Sequence, residues 1–98
     1  MHARFAQLQI QEGRLEKFVK IFYEDMVPLS RALKGFNGVT VLTDAETSTA
    51  TLISFWETEA DARAVEGSSG SLGVQKNKIA DLVSGVPEVK YVKAYHEN

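Results

Sequence analysis

The sequence contains no cysteine. That excludes disulfides, thiolate zinc sites, iron–sulfur clusters and cysteine nucleophiles together, and it makes a reducing cytoplasm the expected compartment. Histidine is almost as scarce, with only His2 and His96 present. No serine stands in a nucleophile elbow, so a Ser–His–acid triad is not expected. Basic runs are missing too: 11 Lys and Arg against 13 Asp and Glu give a net charge of -2. Such a balance offers no footprint for nucleic acid and none for an anionic membrane. Apolar stretches fall far short of the ~20 residues that a membrane span needs. The first residues, MHARFAQLQ, hold one Arg and no apolar core, so no secretory signal is expected.

What is present is the material of a globular domain. Hydrophobic residues make up 44% of 98 positions and charged residues 24%. One domain over residues 1–98 is expected, large enough for a core and small enough that a partner subunit would help.

Residues 3–11, ARFAQLQIQ, alternate. Ala6, Leu8 and Ile10 fall on one face, and Gln7, Gln9 and Gln11 on the other with Phe5, which predicts a strand. From Arg14 the period lengthens: Leu15, Phe18, Val19, Phe22, Met26, Leu29 and Leu33 step by three and four, predicting one long helix that stops at Gly35. Pro28 lies inside it and predicts a kink around Glu24 to Val27. Two β-branched runs, 38–44 and 50–57, flank a polar turn at 45–49 and read as a hairpin. Thr58, three residues before Asp61, resembles a helix cap for the helix that follows over 59–66. A further helical piece is expected over 74–85, with Ile79, Leu82 and Val83 inward and Pro87 closing it. A last strand follows over 88–97, with Val89, Tyr91, Lys93 and Tyr95 on one face.

The order is β-α-β-β-α-β, an α+β ferredoxin-like arrangement: one antiparallel sheet with its helices on one face. Nothing in the chain would cover the other face, which carries Phe5 and further apolar residues. That makes it a candidate dimer interface. His2 and His96 would approach each other where the first and last strands pair, with Glu97 nearby. Both lie at fraying ends, however, and no metal site is expected.

The stretch GSSGSLG, 67–73, admits three readings: a linker, a phosphate loop or a connection within one fold. Only 25 residues follow Gly73, too few for a separate domain, and their strand is needed by the sheet. The spacing of three between Gly67, Gly70 and Gly73 matches neither G-x-G-x-x-G nor a Walker loop. A connection between two helical pieces remains, anchored by Leu72.

KGFNG at 34–38, FWETEADA at 55–62 and EGRLEKF at 12–18 resemble the antibiotic biosynthesis monooxygenase (ABM) family, and the element order fits over roughly residues 3–95. The resemblance implies a dimeric α+β barrel, in which two sheets meet through their helix-free faces and each subunit keeps a pocket between its own sheet and helices. Relatives of this fold include cofactor-free monooxygenases acting on quinols and polycyclic phenols, haem-degrading enzymes and isomerases. It implies a homodimer that binds a small apolar or aromatic ligand and oxygenates it without a cofactor. The alternatives are a non-catalytic binding module, or an isomerase or lyase on the same barrel. Haem-degrading members carry an iron-ligating His and a Trp in the second helical region and an Asn on the first strand. Glu59 to Gly85 here contains neither His nor Trp, and the first strand has no Asn, so no haem is expected.

The candidate pocket residues are Phe22, Tyr23, Asn37, Trp56, Leu72 and Tyr91. Trp56, matching the family Trp, is placed either to stack on a flat ligand or to pack at the sheet–helix junction. Tyr23, beside Phe22, and Tyr91 offer hydroxyls to a phenol or equally cover the core. Asn37 next to Gly38 is either a substrate contact or a turn residue. No residue is assigned as catalytic. In similar proteins the 67–73 region lies over the pocket mouth, so Gly67, Gly70 and Gly73 are expected to form a mobile lid.

Overall fold

The alternation read from residues 3–11 forms one of the two inner strands of a four-stranded sheet. The computed structural model describes residues 1–67 and 78–95. Strand β1 (His2–Ile10) buries Ala6, Leu8 and Ile10 and exposes Gln7 and Gln9. It pairs antiparallel with β3 (Thr49–Trp56) on one side and β4 (Val83–Lys93) on the other. With β2 (Phe36–Asp44) at the far edge, the order is β2-β3-β1-β4, every pair antiparallel. The β2–β3 turn is held by the Asp44 carboxylate, whose Oδ1 accepts from the Glu46 amide at 3.0 Å.

The first helical region runs in three segments: α1 (Leu15–Ile21), a π-helical turn (Phe22–Met26) and α2 (Val27–Ser30). The kink predicted from Pro28 is expressed as that wider turn, in which the Val27 amide bonds back to the Phe22 carbonyl. Pro28 has no N–H to give to the carbonyl four residues earlier, and its ring crowds that group. Widening the turn before it relieves both problems. Leu33, expected in the helix, lies in the turn beyond α2. Thr58 caps α3 (Glu59–Arg63), its hydroxyl accepting from the Asp61 amide at 3.1 Å. The chain then tightens into a 3₁₀ turn, Ala64–Gly67.

The start of the last strand differs from the sequence reading. The helix expected over 74–85 is helical at 78–80, but Val83, Ser84 and Gly85 belong to β4. Residues 74–77 lie outside the described residues. Pro87 therefore sits inside a strand rather than closing a helix. It is tolerated because β4 is an edge strand and its pairing with β1 shifts register between Gln7 and Gln9, opposite residues 84–88. The strand also ends at Lys93, earlier than expected.

Leu8, Ile10 and Ala50 of the sheet, Phe18, Phe22 and Val27 of the first helical region, and Ile79 and Leu82 form one core on one side of the sheet. Register places Ala3, Phe5, Ile53 and Phe55 on the opposite side, together with Leu42 and Val92, which are 55% and 44% exposed. Among the described residues, no helix is long and apolar enough to cross a membrane.

Candidate functional site

Small side chains on the sheet leave room beneath the first helical region. Ala6 stands on the inward face of β1, opposite Leu52 of β3. Phe22 and Met26, at the two ends of the π turn, face this gap. The result is a cavity of about 420 Å³ lined by Ala6, Leu8, Phe22, Met26, Leu52 and Val89 among others. It adjoins a smaller space of about 90 Å³ walled by Phe36, Val39, Ser54, Trp56 and Val65. Arg4, Phe22, Met26 and Leu52 line both. Together they have the size and apolar character of a small-molecule site.

The alternation that directs Ala6, Leu8 and Ile10 inward also directs Arg4 inward. Its side chain is only 16% exposed and is paired with Glu66 at the end of the 3₁₀ turn. Nε of Arg4 donates to Glu66 Oε1 at 3.0 Å, and Nη2 donates to the same oxygen. The Tyr91 hydroxyl donates to that oxygen as well, at 3.0 Å. The Arg63 guanidinium lies 4.3 Å from the centre of the Tyr91 ring and is tied at 3.0 Å to Glu59 one turn earlier. Burial raises the Tyr91 pKa above its ordinary value; the bond to Glu66 adds to this and Arg4 opposes it. Tyr91 is thus a proton donor near neutral pH, unsuited to act as a base.

Of the residues singled out from the sequence, Phe22 and Trp56 line this space. Trp56 is 2% exposed; its indole N–H donates to Ser54 Oγ at 2.9 Å and its ring meets Phe36 edge-on at 5.3 Å. Tyr91 reaches the cavity through Glu66. Tyr23 is 46% exposed, stands edge-on to Phe22 at 5.9 Å, and is not among the described lining residues of either space. Asn37 is exposed at the irregularity of β2, 3.5 Å from Glu57. Leu72, Gly70 and Gly73 lie outside the described residues, and Gly67 ends the 3₁₀ turn. Sequence reasoning missed Arg4, Met26, Leu52, Ser54 and Glu66.

A larger depression of about 1130 Å³ opens where the end of β1 meets the start of α1 and the β2–β3 turn. Charged side chains of both signs (Glu12, Glu16, Lys20, Glu46) border it. Among the described residues, no three His, Asp or Glu side chains are grouped to hold a metal.

The model for antibiotic biosynthesis monooxygenases matches residues 1–77. The chain belongs to that family. Solved structures agree on the fold. A candidate antibiotic biosynthesis monooxygenase of Bordetella bronchiseptica superposes with a TM-score of 0.84 at 20% identity, over 97% of each chain. One from Nitrosomonas europaea gives 0.78 at 14% identity, over 98% of this chain and 100% of the other. An uncharacterised NIPSNAP domain protein of Burkholderia xenovorans gives 0.72 at 11%, over 97% and 95%. A comparison with curated protein sequences gave no significant match. At these identities the antibiotic biosynthesis monooxygenase fold is shared, while chemistry varies on it freely. The family match takes in Arg4, the π turn, Trp56 and Glu66, and stops short of Tyr91.

Proposed function

We propose that this antibiotic biosynthesis monooxygenase family protein is a homodimer that binds a small aromatic or quinol ligand between sheet and helices, and that it oxygenates that ligand without a cofactor. The observation that carries this is the cavity itself: largely aromatic and aliphatic walls, with charge supplied by Arg4 and Glu66, the latter bonded to Tyr91, and the hydroxyls of Ser30 and Ser54 in the smaller space. An electron-rich substrate needs little else. A ring CH₂ conjugated to a phenol loses a proton, and the carbanion's electron pair reduces dioxygen to a hydroperoxide adduct. Loss of water then leaves a carbonyl; one oxygen atom stays in the product and the other departs as water. The protein's part is to hold the substrate, exclude bulk water and favour the deprotonated form.

The helix-free face supports the homodimer reading, since Phe5, Ile53, Phe55, Leu42 and Val92 share that side of the sheet. Single exposed apolar residues need no partner, but a gathered set does.

Oxygen uptake with a panel of quinols and hydroxylated polycyclic substrates tests the reaction, in chelator-treated buffer without flavin. Uptake that depends on protein and stops when Phe22→Trp fills the cavity supports it. Binding of a panel member with no uptake favours a second reading, a non-catalytic binding module. One observation favours that reading: burial raises the Tyr91 pKa, so its hydroxyl stays protonated at neutral pH and supplies no base there.

A further inference from the structure

We infer that Arg4 is the anion-recognising residue of the cavity and that the ligand is an aryl oxyanion, an aromatic ring bearing a carboxylate or an acidic phenol. This rests on the ligand cavity proposed above and adds the charge of its occupant. Arg4 lines both parts of the cavity, and it is the one cationic side chain among their described lining residues. Its side-chain edge, Nε and Nη2, is spent on a single oxygen of Glu66. A guanidinium has five N–H donors. No described residue accepts from Nη1, so the terminal Nη1–Nη2 edge is left for a further acceptor. That edge has the spacing to take both oxygens of a carboxylate or one phenolate oxygen.

The surroundings make such an edge selective. The walls shared by both parts of the cavity are Phe22, Met26 and Leu52, which take a flat ring but give an oxyanion no hydrogen bond; the hydroxyls of Ser30 and Ser54, in the smaller space, are the neutral polar exceptions. A ligand carrying negative charge elsewhere on its ring would lose hydration there without compensation. Glu66 has two effects. It orients the guanidinium together with Tyr91, and it neutralises the Arg4 charge, which weakens the pull on an incoming anion. A cation beside a phenol also stabilises the ionised form, as it does negative charge delocalised onto that oxygen when the conjugated ring CH₂ loses its proton.

The competing account is structural: Arg4 only pins the 3₁₀ turn to β1 through Glu66. Calorimetric titration with 2-naphthoate and the neutral 2-naphthylmethanol separates the two. The wild type is expected to bind the anion at least about tenfold more tightly, the scale of a charge-assisted hydrogen bond. Arg4→Gln is expected to erase that preference while the alcohol binds as before, and Arg4→Lys to restore part of it. Glu66→Gln is expected to raise the anion's affinity several-fold, because it removes the competing carboxylate; a purely structural pin predicts a loss or no change. Equal binding of both probes by the wild type, or an equal loss of both in Arg4→Gln with its circular dichroism unchanged, overturns the inference and leaves the cavity reading standing. Failure of the wild type to bind either probe overturns both.

Discussion

Gly35→Ala should destabilise the protein well beyond the ordinary cost of a left-handed alanine, and the geometry says by how much. Gly35 ends the turn after α2 with φ +80°, and its carbonyl accepts from the Glu57 amide at 2.9 Å. It thereby ties the end of the first helical region to the end of β3. A Cβ built there meets the Asp61 side chain, within 2.7 Å of Cγ and 3.0 Å of Cβ, and overlaps Oδ2. Gly13 has nearly the same backbone, φ +78°, with nothing within 4 Å of such a Cβ. Gly13→Ala therefore reads the backbone cost alone, about 1 kcal/mol. Gly35→Ala adds the displacement of Asp61 from its rotamer, about another 1 kcal/mol. The total of about 2 kcal/mol should lower Tm by roughly 8–16 °C for a chain of this size. Urea unfolding followed by Trp56 fluorescence measures both variants, at one protomer concentration so that association does not distort the comparison. Asp61→Ala removes Oδ2 and Cγ but keeps the Cβ at 3.0 Å. In that background the Gly35→Ala cost should therefore fall most of the way toward that of Gly13→Ala, a coupling below about 1 kcal/mol. Equal costs for the two glycines in the wild type, or no coupling to Asp61, would refute the reasoning. Because Phe36 follows Gly35 and packs on Trp56, the variant should also weaken ligand binding in the smaller space.

Two further outcomes follow from other parts of the molecule. The Tyr91 pKa is raised on folding, chiefly by burial. Between the unfolded value, about 10, and the higher folded one, the native state therefore holds more protons than the unfolded state, and stability falls as pH rises. Tyr91→Phe should flatten that alkaline loss, as read from urea midpoints measured from neutral pH upward; an unchanged slope would contradict the placement of the hydroxyl against Glu66. Ile53→Lys puts a charge in the middle of the helix-free face and should convert a dimer to a monomer of 10.8 kDa in sedimentation, with naphthalene probes still bound. A wild type already monomeric at micromolar concentration would remove the two-sheet barrel.

Much of the fold is legible because local pattern and tertiary burial agree. In β1 the alternation of Ala6, Leu8 and Ile10 with glutamines coincides with what the sheet buries. Thr58 is a usable cap whether or not anything else is known, and it caps. The start of β4 was not legible, since Ile79, Leu82 and Val83 satisfy a helical spacing and Val83 faces the core either way, paired with Ile10. Only strand order shows that β4 is an edge, where Pro87 can stay in a strand without a hydrogen-bonded neighbour on its outer side. The site was less legible than the fold. Arg4 and Glu66 are 62 positions apart, and Glu66 reads as the solvent-facing end of a short helix. One signal was available: Arg4 shares the parity of three buried apolar residues, and a cation at an inward position requires a partner.

The cavity also explains why such a partner is set at its edge. The space of about 420 Å³ is open on one side, so it admits solvent or a ligand. Water placed against Ala6, Phe22, Met26 and Leu52 finds few hydrogen-bond partners there, and an apolar ring that displaces it gains affinity. The polar groups lie where the ring's substituent would arrive, so the same emptiness that drives binding leaves orientation to Arg4. Filling the void from within, by Ala6→Leu, should therefore raise stability while abolishing the binding of both neutral and anionic probes. A substitution that stabilised the fold and left binding intact would mean that the ligand sits elsewhere.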